Sequence, residues 1–232
     1  MDHLEGALTA IGFFRTLPPD ALEALAKRCQ WQRFEANQLI VGQDDETKDV
    51  FFIVRGRVRV IVYAASGKEV SFRDLGAGHM FGELSAIDGR PRSATVIALQ
   101  EALMARMPPN VFWTMVERHP QVATAVLHHL VGLVRALSDR VFEFSTLAVK
   151  NRIHAELLRL AREASGRDSG AMLISPAPTH AEIASRISTH REAVTRELNE
   201  LVRAGLVERR SGGLIIRDLE RLARLVEDVA NL

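Results

Sequence analysis

The sequence predicts an α+β chain made of three successive parts. Short β-branched runs alternate with turn residues from about 31 to 107, which is typical of a small antiparallel β-barrel or jelly roll. A long helix with an apolar stripe follows. Beyond it, two short helices joined by a tight turn precede a glycine-rich hairpin, the pattern of a winged helix-turn-helix. We therefore divide the chain into residues 1–109, 110–145 and 146–232.

The overall composition is that of an ordinary globular protein of 232 residues, with 47% hydrophobic and 25% charged residues. The net charge is only +1, but the charge is unevenly distributed along the chain. Residues 147–217 carry 12 Lys and Arg against 8 Asp and Glu, whereas the remainder carries 18 against 21. The third part is therefore the basic part and the better candidate for an anionic partner.

Cys29 is the single cysteine, which excludes an intrachain disulfide and fits a reducing compartment. We expect it to fill the core behind Leu22 and Leu25. The sequence shows neither a signal pattern at its start nor an apolar run of 18 residues, so we expect a cytoplasmic protein without membrane contact.

The stretch from Phe81 to Val96 has the residue types of a clamp for a phosphate attached to a sugar. Gly82 has no Cβ and lets the backbone approach a ligand closely. Arg92 offers a planar fork of donors to phosphate oxygens, and Ser93 adds a hydroxyl. Glu83 supplies an acceptor for a ribose hydroxyl. The alternative is a glycine-rich turn whose arginine and glutamate pair only with each other.

This stretch resembles the phosphate-binding cassette of cyclic-nucleotide-binding domains through Gly82-Glu83-Leu84, Pro91-Arg92 and Ser93-Ala94-Thr95. The resemblance implies a β-barrel or jelly-roll sensor that binds cyclic AMP, cyclic GMP or both. The nucleotide-binding residues expected in this cassette are Gly82, Glu83, Leu84, Ser85, Arg92 and Ser93.

The long helix carries a stripe with spacings of 4, 3, 4, 3 and 4 residues, which predicts a two-stranded coiled coil and hence a homodimer. Its members are Val126, Leu130, Leu133, Leu137, Arg140 and Phe144. The alternative is a helix packed on its own barrel.

The third part begins its helix-turn-helix at Thr179, which caps the first helix and forms a capping box with Glu182. The second helix, residues 191–204, turns Val194, Leu198 and Leu201 inward. A hairpin wing over residues 205–216 follows.

The second helix presents Arg191, Glu192 and Arg196 over about a third of its circumference. Arginine pairs with guanine and glutamate accepts from cytosine, so these residues could read bases in a major groove. The alternative is a solvated charged face. The complete set of predicted DNA contacts, including those to phosphates and that of His190 in the turn, is Thr179, His180, His190, Arg191, Glu192, Arg196, Arg209 and Arg210.

The order of sensor, long helix and winged helix-turn-helix resembles the cyclic-AMP receptor protein branch of the Crp-Fnr regulators. The run Arg191-Glu192-Ala193-Val194-Thr195-Arg196 is similar to that branch's recognition helix. The resemblance implies a palindromic double-stranded DNA operator with TGTGA-like half-sites, and RNA polymerase as a further partner. The family's oxygen sensors use a cysteine cluster, which one cysteine excludes.

The resemblance also places Leu137 and Ser138 where that branch has a Thr-Ser pair facing the base. Leu137 offers no hydrogen bond to adenine, whereas Ser138, reached from the partner subunit, could still meet the purine. Losing one discriminating hydrogen bond costs about 1 kcal/mol, so we expect both cyclic AMP and cyclic GMP to bind.

His79 and the adjacent His128 and His129 lack metal-ligand spacing, and no nucleophile–base pair appears. We therefore predict neither a metal site nor an enzyme activity. The predicted function is cyclic-nucleotide-gated transcription regulation. Two rivals stay open, namely a constitutive DNA-binding regulator with a vestigial sensor, and a sensor whose main output is a protein partner.

Overall fold

The computed structural model describes residues 8–9, 11–64, 69–164, 166–168 and 171–230. Residues 1–7 of the predicted first domain lie outside this range. The chain divides into two compact units, Met1–Leu133 and Val134–Leu232, and the boundary falls inside the long helix. In the described ranges, no helix is long and apolar enough to cross a membrane.

The described residues of the first unit form eight strands in two four-stranded sheets. In chain order they are β1 (Gln30–Phe34), β2 (Leu39–Val41), β3 (Val50–Arg55), β4 (Arg57–Tyr63), β5 (Glu69–Gly76), β6 (Met80–Phe81), β7 (Thr95–Ala98) and β8 (Ala102–Met107). One sheet has the order β1-β8-β3-β6 and the other β2-β7-β4-β5. All their strand pairs are antiparallel, as predicted for this part of the chain.

Strand β3 shows why this part folds as two stacked layers. Its side chains alternate between two cores, because Phe51 and Ile53 pack between the sheets while Val50 and Phe52 face the helices. Both faces of this strand are therefore covered, which explains its uninterrupted apolar sequence. Cys29 lies in the helical core, as predicted, and burial raises the pKa of its thiol to about 12.

Four helices with both ends among the described residues belong to the first unit or begin in it. They are α1 (Pro19–Arg28), α2 (Glu83–Asp88), α3 (Pro109–Arg118) and α4 (Pro120–Thr146). A 3₁₀ turn at Gly12–Phe14 precedes α1. Proline occupies the first position of α1, α3 and α4, where its missing N–H costs nothing and its fixed φ suits the helix. Helix α4 has 27 residues.

The second unit packs four helices on a small antiparallel sheet. Its elements are α5 (Val149–Glu163), β9 (Gly166–Asp168), β10 (Ala171–Ile174), α6 (His180–Arg186), α7 (Arg191–Arg203), β11 (Val207–Arg210), β12 (Gly213–Ile216) and α8 (Leu219–Ala230). The sheet order is β11-β12-β10-β9. Strands β11 and β12 are the predicted wing, whereas β9 and β10 were not predicted.

Candidate functional sites

Arg92 is the centre of the predicted cassette and is almost completely buried. Its guanidinium donates to Thr47 Oγ1 at 3.1 Å, Gly82 O at 3.0 Å and Asp49 O at 2.8 Å. Burial lowers the pKa of Arg92, while Asp49 and then Asp45 act in the opposite direction. Three of its five N–H donors are thus used within the protein, which leaves two for an anionic ligand.

Gly82 connects β6 to α2 with a φ of +84°, a conformation that glycine adopts readily. A Cβ at this position would lie 2.5 Å from Arg92 Nη1 and 2.7 Å from Asp49 O. The sequence predicted that Gly82 allows close approach of a ligand. The structure adds a more immediate reason, because the glycine makes room for the arginine of the same cassette.

The other cassette residues differ in accessibility. Glu83, at the start of α2, and Ser85 are each only 2% exposed, and Ser85 donates to Pro91 O at 3.4 Å. Leu84 is 42% exposed and Ser93 is also exposed. The alternative interpretation, in which a surface Arg92 and Glu83 pair with each other, is not what the structure shows, since Arg92 is buried and held by oxygens of Thr47, Gly82 and Asp49.

The predicted helix-turn-helix forms with its predicted cap. Glu182 N donates to Thr179 Oγ1 at 3.1 Å and Thr179 N donates to Glu182 Oε2 at 2.7 Å, which closes the capping box. The three apolar positions of α7 are buried as expected. They are Val194, Leu198 and Leu201.

The opposite face of α7 is charged and accessible. Arg191, Glu192 and Arg196 are all exposed, and within the described part of the chain their side chains make no hydrogen bond or ion pair. Unpaired donors and acceptors on one helix face are free to engage another molecule. His190, at the N-cap of α7, is exposed beside them.

His180, at the first position of α6, contacts the recognition side of α7 directly. Its Nδ1 lies 2.7 Å from Thr195 Oγ1, and that hydroxyl itself donates to Arg191 O at 3.0 Å. Nδ1 must therefore carry the proton that His180 donates to Thr195. Burial lowers the pKa of His180, and the positive charges of Arg209 and Arg191 lower it further.

The two wing arginines, Arg209 and Arg210, are adjacent in sequence and differ in their contacts. Arg209 donates to Asn199 Oδ1 of α7 at 2.8 Å, which ties the wing to the second helix. Arg209 and Arg210 are both exposed on β11. The charges of Arg209 and Arg191 both act on His180, so this end of the unit has a concentration of positive charge suited to phosphates.

Buried polar and ionic contacts join α5 to α7 and to α6. No sequence motif indicated them. His154 of α5 meets Glu197 of α7 at 2.6 Å, with both side chains buried. Glu156, 1% exposed, accepts from Arg186 of α6 at 3.1 Å and from Arg140 of α4 at 3.2 Å, and also pairs with Arg159. The sequence feature that could have indicated these contacts is a charged residue at an inward-facing position of an amphipathic helix, as at Glu156 of α5 and Glu197 of α7.

Two family models match the chain. One is the cyclic nucleotide-binding domain, over residues 31–119, and the other is the Crp-like helix-turn-helix domain, over residues 151–225. The chain belongs to the Crp-Fnr family of transcription regulators. The family and the fold are those of DNA-binding regulators rather than enzymes, in agreement with the sequence analysis.

Named relatives of this Crp-Fnr regulator extend over nearly the whole chain. It is 25% identical to the CRP-like cAMP-activated global transcriptional regulator of Mycobacterium tuberculosis, with 95% of this chain and 99% of that protein covered. It is 27% identical to the cyclic AMP receptor protein of Thermus thermophilus, with 94% and 95% covered. A CRP/FNR family regulator structure from Thermus thermophilus superposes with a TM-score of 0.69 at 26% identity, covering 86% of this chain and 100% of that one.

The apolar stripe predicted for the long helix of this Crp-Fnr regulator was wrong in part. Val126 is 6% exposed and Leu130 packs with it against the core of the first unit, so these residues face inward. Arg140, predicted to interrupt a coiled-coil seam, pairs with Glu156. The alternative interpretation, a helix packed on its own barrel, therefore holds for the first turns of α4.

A different stripe of α4 is exposed, one residue further along the helix. Its members again have spacings of 4, 3, 4 and 3 residues and are Leu127, Val131, Val134, Ser138 and Val141. The four apolar members are between 51% and 66% exposed. Ser138 lies in the middle of this stripe and donates to Val134 O at 3.0 Å, while Leu137 beside it is 49% exposed.

The described part of this Crp-Fnr regulator was also compared with the side-chain groupings that bind metal ions. No group of three or more His, Cys, Asp or Glu side chains there is arranged to hold an ion.

Proposed function

We propose that this protein is a homodimeric transcription regulator whose binding to a palindromic operator is tightened by cyclic AMP, cyclic GMP or both. Curated relatives named for cyclic AMP, matched over nearly the whole chain, support the choice of effector. One observation carries the DNA part of the proposal. Arg191, Glu192 and Arg196 stand exposed and without side-chain partners, among the described residues, on one face of α7.

The exposed stripe of α4 supports the homodimer. A stripe of Leu127, Val131, Val134 and Val141 on a helix is unfavourable in water, and burying it against the same stripe of a second copy removes it from solvent. Two-fold symmetry then gives two recognition helices for a palindromic site, whose half-sites lie about 34 Å apart on one DNA face. RNA polymerase remains the predicted protein partner.

The pocket chemistry favours a response to both nucleotides. The cassette supplies Arg92 and Ser93 to the phosphate and Glu83 to the ribose, and neither group differs between cyclic AMP and cyclic GMP. The base would meet Leu137 and Ser138 of α4. Ser138 lies on the exposed stripe, which supports a contact with the nucleotide bound by the other subunit of the dimer. The side chain of Leu137 cannot form a hydrogen bond and so cannot select adenine.

The test is the fluorescence anisotropy of a labelled TGTGA-type palindrome titrated with the protein at fixed salt. The three conditions are no nucleotide, cyclic AMP and cyclic GMP. Tightening by either nucleotide supports the gated regulator, and the difference between the two names the effector. Failure to bind the palindrome in all three conditions would contradict the assigned recognition helix.

A matched pair of variants separates the cassette from general charge effects. Arg92→Ala should abolish the nucleotide response and leave salt-sensitive, non-specific DNA binding. Arg90→Ala is the control, because Arg90 lies two residues away and is exposed, and among the described residues its guanidinium makes only a 4.0 Å contact with Asp88. The control should respond to nucleotide like the wild type.

A constitutive regulator with a vestigial sensor is the second candidate. It is favoured by one observation, namely that oxygens of the protein already accept three hydrogen bonds from Arg92. Equal operator affinity in all three anisotropy conditions would support this candidate and contradict gating.

A further inference from the structure

Glu83, the cassette carboxylate, has a neighbour on the long helix that no sequence motif indicates. The Nε2 atom of His129, on α4, lies 3.5 Å from Glu83 Oε1. The two side chains are 13% and 3% exposed, so the contact is shielded from water. The separation is within ion-pair range and just longer than a good hydrogen bond.

His129 is held in place by packing and lacks another polar partner at this nitrogen. Its ring meets the edge of Phe13 with centroids 5.6 Å apart. Its Nε2 atom is buried and, among the residues that the structure describes, has no hydrogen-bond partner. A buried, unsatisfied ring nitrogen is costly, so its position beside a carboxylate indicates a purpose beyond filling space.

Two arginines, one on β5 and one in the cassette, lie close enough to Glu83 to feel its charge. Burial lowers the pKa of Arg73 on β5, and the charge of Glu83 opposes that shift, which places the two groups near each other. Glu83 has the same opposing effect on the pKa of Arg92. Either carboxylate oxygen of Glu83 can accept a hydrogen bond, and the direction of one oxygen depends on what holds the other.

We propose that His129 is a positioning residue for ribose recognition, which rests on the proposed nucleotide-binding function. Its Nε2–H holds Glu83 Oε1, so that the second carboxylate oxygen is directed at the 2′-hydroxyl of the bound nucleotide. The ribose contact is thereby linked to α4 as well as to the cassette. A carboxylate free to rotate would lose much of its preference for a nucleotide with that hydroxyl.

The experiment measures the affinity of the full-length protein for cyclic AMP and for 2′-deoxy cyclic AMP by isothermal titration calorimetry. His129→Phe keeps an aromatic ring against Phe13 and removes the nitrogen. His129→Gln places an amide nitrogen near the position of Nε2, whereas His129→Asn is one carbon too short to reach it. His128→Phe is the matched control, since His128 is the next residue on α4 and is exposed.

The wild type should prefer cyclic AMP over the deoxy nucleotide. In His129→Phe, cyclic AMP affinity should fall about tenfold while affinity for the deoxy nucleotide changes less than about twofold. His129→Gln should keep the preference, His129→Asn should lose it, and His128→Phe should match the wild type. The Gln and Asn pair decides the matter if the Phe variant does not fold.

Two results would overturn the inference while leaving nucleotide binding intact. An equal loss for both ligands in His129→Phe would assign His129 a general packing role. An unchanged preference in both His129→Phe and His129→Asn would remove it from the ribose site. A wild type that binds neither cyclic AMP nor cyclic GMP would instead defeat the proposed function, and this inference with it.

Discussion

The guanidinium of Arg92 occupies the space that a side chain at Gly82 would need. Arg92 Nη1 donates to Gly82 O at 3.0 Å and lies 2.5 Å from the position of a Cβ on that glycine. The two residues are ten positions apart and form one unit. Because Gly82 has no side chain, Arg92 can donate to the carbonyl oxygens of both Gly82 and Asp49. These hydrogen bonds in turn hold the backbone where α2 begins.

Gly82→Ala should destabilise the first unit more than Gly89→Ala does. Both glycines have positive φ, +84° and +73°, so each substitution costs about 1–2 kcal/mol of backbone strain. Only Gly82 would also displace Arg92, since nothing lies within 4 Å of a Cβ at Gly89. Denaturant unfolding followed by tryptophan fluorescence reports this unit alone, because the two tryptophans are Trp31 and Trp113.

The same pair of variants separates strain from ligand chemistry. Calorimetry with cyclic AMP should show weaker binding for Gly82→Ala and near wild-type binding for Gly89→Ala. Equal unfolding free energies for the two variants would show that the collision with Arg92 is relieved without cost.

Val134→Asp should prevent the proposed dimer from forming and leave a monomer. Val134 is 63% exposed in the centre of the stripe, and a carboxylate there would be desolvated and face its own copy across the two-fold axis. Ala136→Asp is the control, because it adds the same charge about 200° around the same helix. Light scattering coupled to size exclusion gives the mass, and a monomeric Ala136→Asp or a dimeric Val134→Asp would reject the stripe.

Glu156→Gln should destabilise the second unit by about 3 kcal/mol. Glutamine keeps one oxygen that can accept a hydrogen bond, but it removes the buried negative charge that Arg140, Arg159 and Arg186 share. Glu208→Gln breaks an exposed pair with Arg217 and should cost less than about 1 kcal/mol.

Calorimetric unfolding reports the cost of each substitution, and tryptophan fluorescence provides an internal check because both tryptophans lie in the first unit. Two variants of equal stability would mean that the arginines find other partners.

Arg196→Ala should cost about 1–3 kcal/mol of operator binding and relax preference at one base position. The reason is that Arg196 is exposed on α7 and could pair with a guanine edge. Anisotropy with operators substituted one base at a time measures this. Arg203→Ala, in the last turn of the same helix, is the control and should keep the sequence preference. Equal loss on every sequence would make Arg196 a phosphate contact.

Local patterns in the sequence predicted most elements of both units but not β9 and β10, and they could not indicate contacts between residues far apart in the chain. The capping box of Thr179 and the buried face of α7 follow from spacing alone, and both were predicted correctly. The predicted stripe of α4 was wrong at Val126 and Leu130, which pack against the core of the first unit, because two faces of that helix are apolar. Periodicity cannot tell which of the two, that of Val126 or that of Leu127, covers the core.

The missed site residues share one property, which is a partner far away in sequence. The role proposed for His129 depends on its contact with Glu83, and that of Glu156 depends on its contact with Arg186. Neither pair has a motif, since the fold rather than the spacing brings them together. Arg92 was identified by its motif, but its three protein acceptors were not, because two of them are backbone carbonyls that carry no sequence signal.

His180 should make operator binding strengthen as the pH falls. Burial and the charges of Arg209 and Arg191 lower its pKa below the ordinary 6.5, so it is mainly neutral at pH 7 in the free protein. A DNA phosphate beside this cluster would favour the charged imidazolium and raise the pKa of His180. Binding then takes up a proton, and affinity rises as pH falls through the pKa of the complex, levelling off below that of the free protein.

Protonation of His180 has the opposite effect on folding, because it lowers the stability of the folded state. The lowered pKa means that the folded state holds the proton less tightly than the unfolded state. The contribution of His180 to stability is therefore constant above about pH 6.5 and declines as the pH falls below it.

Anisotropy of the operator between about pH 5.8 and 7.8 should show a steeper pH dependence for the wild type than for His180→Gln. His128→Gln, on the exposed face of α4, should keep the wild-type slope. If His180→Gln kept that slope as well, His180 would be excluded as a phosphate contact, because a neutral amide cannot take up the proton.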